Sequence, residues 1–184
     1  MPARARRVGP LPLALVALAS AVIGCSNRAP ATDGPLSSGN GIHDPIPRGS
    51  VCAPGGRPWA FAGQQFTNYG HTTVVLDRVV LLHPHNQHLI GSYAMPGDRA
   101  IGTVYWPPRN PGLPPEWKNR KPVHGFRLAP GKTFNMVLGV AAIASSRATS
   151  QGMLVYYHNS TGSYVAKNYW ANIIAAAARK QGCS

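Results

Sequence analysis

Turn-forming residues recur so closely along this chain that few segments are long enough to make a helix. Its 184 residues include 20 glycines and 18 prolines. Proline removes a backbone donor and glycine weakens the interior of regular elements, so the apolar runs between them are fit mainly for strands. Trp59, Phe61 and Phe66 lead into the turn signal Asn68-Tyr69-Gly70. Residues 72–82 are dense in Val, Leu and Thr, with Val75, Asp77 and Val79 alternating against Leu76, Arg78 and Val80. Short apolar runs follow at 89–93, 101–106 and 123–128, the last ending at Ala129-Pro130-Gly131. Residues 133–143 form a longer apolar run suited to a central buried strand, and 153–157 and 164–166 flank a polar hairpin turn over 158–163. Seven or eight short strands at this spacing predict a mainly β, two-sheet sandwich. The exception is 168–181, where Trp170, Ile173, Ile174 and Ala177 stand at helical spacing before Arg179, Lys180 and Gly182. This predicts one short C-terminal helix, with a final strand running to Cys183 as the alternative.

The first 25 residues read as an address. Arg4, Arg6 and Arg7 precede an apolar stretch over 11–24, which ends Val22-Ile23-Gly24-Cys25. A basic start and a short apolar core make a secretory signal, too short for the ~20 apolar residues of a membrane span. The ending resembles the lipobox of bacterial lipoproteins, in which a small residue precedes an obligatory cysteine. That resemblance implies a diacylglyceryl group on the Cys25 thiol and cleavage before it. It also implies display on the outer face of the bacterial cytoplasmic membrane through a lipid anchor, since two acyl chains hold a protein stably where one is marginal. The expected division is 1–24 signal peptide, 25–50 lipidated tether and 51–184 sandwich domain. The tether reading rests on a stretch dense in Pro, Gly and Ser without hydrophobic period, which buries too little surface to offset ordering entropy.

Cys52 and Cys183 bracket the domain almost end to end. In an exported protein, the two cysteines left after lipidation most simply pair as a disulfide. Free thiols or metal ligation are the alternatives. The order of signals, from Thr67-Asn68 and Gly70 through the Val-rich strand, long loop and Pro-Gly turn to the Tyr-bearing hairpin, resembles uncharacterised actinobacterial surface lipoproteins with an immunoglobulin-like sandwich. That resemblance covers roughly 52–183 and brings no catalytic residues.

Two stretches carry the chemistry. In His83-Pro84-His85-Asn86-Gln87-His88, the imidazoles of His83, His85 and His88 would suit copper or zinc if the loop folded back on itself; otherwise it is an exposed polar turn. Residues 106–122 hold six prolines, Trp106, Trp117 and the cations Arg109, Lys118, Arg120 and Lys121 against Glu116. Such a loop can bind a partner, its aromatics stacking on sugars and its cations meeting phosphates or headgroups. It can instead cover an open sheet edge. Lys plus Arg number 18 against 5 acids, a formal charge of +13, which favours anionic envelope components as partners, or another surface protein. Export and the lack of any nucleic-acid-binding motif argue against nucleic acid. No nucleophile elbow, HExxH or phosphate loop is present, and Asp77, Asp98 and Glu116 offer no carboxylate pair. The expectation is a non-catalytic binding or envelope-accessory protein without a cofactor.

Overall fold

A computed structural model describes residues 29–39, 41–42, 45–46, 48–99, 101–109, 113–176 and 183. In chain order the strands are β1 Leu36–Ser37, β2 Arg48–Ala53, β3 Trp59–Asn68, β4 Val74–Leu81, β5 Gln87–Pro96 and β6 Thr103–Tyr105. They continue as β7 Lys121–Pro122, β8 Arg127–Leu128, β9 Thr133–Ala142, β10 Ala148–Ser150, β11 Met153–His158 and β12 Ser163–Ile174. One sheet runs β1-β3-β9-β5-β7, with β6 also on β3; the other runs β10-β12-β11-β4-β8, with β2 also on β12. The two form a two-sheet β-sandwich. Every pairing is antiparallel except β2 on β12.

The expected long apolar run becomes β9, flanked by β3 and β5 and buried from Phe134 to Val140 on both faces. Its inward residues Phe134, Met136, Leu138 and Val140 meet Leu76, Met153, Val155 and Tyr157 of the opposite sheet in one core. At one end that core turns polar. Gln64, Gln87, Ser150 and Asn172 are all buried there. The Gln64 amide donates to Asn172 Oδ1 at 3.1 Å, and the Asn172 amide reaches Ser150 Oγ at 3.4 Å.

Two expectations are corrected. The C-terminal helix does not form over 168–174, which continues β12. Ala166, Asn168, Asn172 and Ile174 are buried at even spacing, the period of a strand, and both edges of this stretch are hydrogen-bonded, to β10 and β2. The helical spacing of Trp170, Ile173 and Ile174 was coincidental, and 177–182 lie outside the described residues. Residues 31–37, expected within the tether, pair with the sandwich. Ala31 bridges Tyr164, its N–H donating to Ser163 O at 3.1 Å and its carbonyl accepting from Val165 N–H at 2.8 Å. Leu36 is 4% exposed, and its N–H donates to the Tyr157 hydroxyl at 3.0 Å. This strap crosses from one sheet to the other along the sandwich's side. Edge pairing needs only backbone donors and acceptors, so no hydrophobic period betrays it. The Cys52–Cys183 disulfide is present, with Cα atoms 5.5 Å apart. Cys25 lies outside the described residues, among which no helix is long and apolar enough to cross a membrane.

Candidate binding groove

The outer face of the β3-β9-β5 sheet is covered by the loop expected to bind. Gly91 of β5 and Gly139 of β9 are direct cross-strand partners. Lacking side chains, they leave a flat slot, and the Trp106 indole lies in it. A Cβ on either glycine would come within 3.0 Å of the ring. Tyr93, two residues along β5, stacks beside Trp106 with centroids 5.6 Å apart and meets Trp117 edge-on at 5.7 Å. Trp117, on the short 3-10 helix Pro115–Asn119, is buried with Ala60, Ala62, Met95 and Val137 in a second cluster. The Arg120 guanidinium lies 4.3 Å over Trp117 and donates to the Trp117 carbonyl at 3.0 Å.

The loop residues therefore divide. Trp117 and Arg120 build the cover. Lys118 and Lys121 are exposed, and Lys121 in β7 pairs with the edge of β5. Trp106 and Arg109 remain at an open groove of about 740 Å³, lined also by Trp59, Thr103, Tyr105 and Pro107. β6 positions this wall: Tyr105 pairs with Trp59 across the strands, and their rings approach to 4.3 Å. Trp59 is anchored beneath by its indole N–H, which donates to Pro54 O at 2.7 Å. Tyr105 is 52% exposed, and Arg57 rests 4.3 Å over its ring. No acidic residue lines the groove among the described residues. Arg57, Trp59, Thr103 and Tyr105 escaped sequence reasoning. The available signal was the pair of glycines within two apolar strands, legible only once the register is known.

The histidines do not converge. His83 and Asn86 take positive φ of 46° and 51°, and Asn86 ties the turn down through its amide to Ser146 Oγ at 2.7 Å and its Oδ1 to Ala144 N–H at 3.0 Å. His85 exchanges backbone hydrogen bonds with Thr149 at 2.8 and 2.9 Å. With its backbone held this way the loop does not fold back on itself, and His83, His85 and His88 are each exposed to solvent. Among the described residues, no three His, Cys, Asp or Glu stand close enough to hold a metal. Asp77 accepts from His158 at 2.8 Å, while Arg78 lies 3.9 Å over Tyr156. No serine or threonine hydroxyl is hydrogen-bonded to His158 among the described residues. Among the described residues the one titratable group clearly displaced is Tyr157: burial pushes its hydroxyl up to about 12, against the Leu36 N–H, which stabilises the phenolate.

No family model and no curated protein matches the chain. Among solved structures it is similar to the Vibrio cholerae VesB protease, at 10% identity and a TM-score of 0.36, over 70% of this chain and 30% of that one. It is also similar to the ASH/PapD-like domain 7 of human CEP192, at 10% identity and a TM-score of 0.35, over 86% of this chain and 94% of that one. The chain thus spans about a third of the protease it matches. Likenesses at this level assign neither activity nor ligand.

Proposed function

We propose that this is a lipid-anchored extracytoplasmic protein with a non-catalytic binding role, fixed to the membrane through Cys25 and offering the Trp106 groove at its far end. The observation that carries the reading is the use of cysteine. Of three cysteines, Cys52 and Cys183 are joined, as befits an oxidising compartment. That leaves Cys25, directly after the apolar leader, as the thiol available for acylation. The anchor is short: five residues lie between Cys25 and the paired Ala31, six steps with a reach of about 20 Å at ~3.3–3.6 Å per residue.

Orientation follows from this anchoring. The strap enters where Ala31 meets Tyr164 and Leu36 meets Asn68. The groove begins at Trp59, the other end of the same 10-residue strand, about 30 Å away at ~3.3 Å per residue. On this reading the groove lies at the end of the sheet away from the anchored strap. Support for a binding role comes from the site itself, whose described lining residues include the rings of Trp59, Tyr105 and Trp106 and the Arg109 guanidinium. Replacing Cys25 with Ala moves the protein from the membrane to the soluble fraction; unchanged fractionation defeats the anchoring.

A further inference from the structure

We infer that the groove binds an acidic sugar, with a pyranose ring laid on the Trp106 indole and the sugar carboxylate paired with Arg109. The inference deepens the binding role proposed above and rests on the groove being the binding site. Its volume of about 740 Å³ falls within the ~300–1,000 Å³ usual for small-ligand sites. The indole lies on Gly91 and Gly139, Tyr93 stacks beside it, and the ring so held also lines the groove. A fixed aromatic face carries the negative side of its quadrupole outward, and the C–H groups on one side of a pyranose ring present the complementary positive charge.

Charge decides the class of sugar. Arg109 is exposed and lines the groove, Arg57 is held against Tyr105 at its wall, and no described lining residue is acidic. A guanidinium donates two parallel hydrogen bonds to a planar carboxylate. A neutral proline-rich peptide would use the aromatics and give neither guanidinium an anion, whereas a phosphate chain would use the cations and leave the indole bare. An acidic pyranose uses both. The groove lies at the end of β3 away from the strap.

The test is isothermal titration of the full chain, purified in detergent, with four probes. Oligogalacturonate offers ring and charge, and its full methyl ester offers the ring alone. Polyphosphate offers charge alone, and a proline decapeptide offers an extended apolar ligand. Oligogalacturonate is expected to bind at least tenfold more tightly than each of the others. Arg109→Ala should weaken it by about tenfold or more, the value of a charge-assisted pair, while changing the ester's affinity less than twofold. Equal binding of the ester removes the carboxylate from the account, equal binding of polyphosphate removes the ring, and preferential binding of the decapeptide makes the groove a peptide site. An Arg109→Ala chain that holds oligogalacturonate undiminished overturns the pairing. Absence of binding by every probe overturns the sugar class, and because Cys25→Ala fractionation is read separately, that failure is distinct from failure of the anchor.

Discussion

Substituting Gly139 with Ala tests the seat on which the groove is built. Gly139 lies in an ordinary strand conformation, so alanine there carries no backbone strain and by itself favours folding by roughly 0.5–1 kcal/mol. The added methyl, however, would sit within 3.0 Å of the Trp106 ring carbons, between a rigid indole and the central strand of its sheet. The indole must lift. A tryptophan buries ~150–250 Å² when enclosed. Trp106 is half-buried, so about 100 Å² of apolar contact is lost, or about 2.5 kcal/mol at ~25 cal/mol per Å². The net expected loss is about 2 kcal/mol. Urea unfolding followed by circular dichroism reads it, and a red shift in tryptophan emission accompanies it. In a Trp106→Ala background the same substitution should cost nothing, because the clash has gone. A Gly139→Ala cost of the same size with and without Trp106 would refute the slot.

Other predictions follow from the strap, the bridge and the polar end of the core. The Tyr157 hydroxyl is raised to about 12 in the folded chain from the ~10 of an unfolded tyrosine. Its contribution to stability is therefore complete below pH 10 and is lost as pH rises through 12, and a Tyr157→Phe variant should show a flatter stability curve over that window in urea titrations at stepped pH. Reducing Cys52–Cys183, whose sequence separation is 131, should cost up to about 5 kcal/mol in the chain-entropy picture, measured as the drop in unfolding free energy of a Cys52→Ala/Cys183→Ala variant. Replacing Asn172 with Ala leaves the buried Gln64 amide without its acceptor and should destabilise by about 1–3 kcal/mol. An unfolding midpoint unmoved by that change would show that the buried amides find other partners.

The strands that build the core were legible because each carries its own signal. The apolar run over 133–143 and the alternation around Val75 to Val80 needed no partner to be recognised, and they are β9 and β4. Elements that depend on a partner were not legible. Leu36 is one apolar residue in a polar stretch, and its burial follows from pairing with Asn68 and from the Tyr157 hydroxyl. In β12 the even positions of a strand happened to include residues that also fall on a helical face, and only the neighbours β10 and β2 decide between them. The candidate site divides in the same way. Trp106 and Arg109 were singled out by composition, but the glycine pair beneath the indole and the Trp59–Tyr105 wall come from register, which one sequence does not display. The histidine run was conspicuous in the sequence, yet its backbone is committed to Thr149 and its Asn86 to Ser146.

The most direct measurement of the whole account is the intact mass of the native protein taken from the membrane fraction without reduction, followed by mapping of its N-terminal peptide. The expected species begins at Cys25, carries the diacylglyceryl mass on that residue, and yields a peptide pair joined through Cys52 and Cys183. A species that keeps residues 1–24 and holds Cys25 as an unmodified thiol would contradict it.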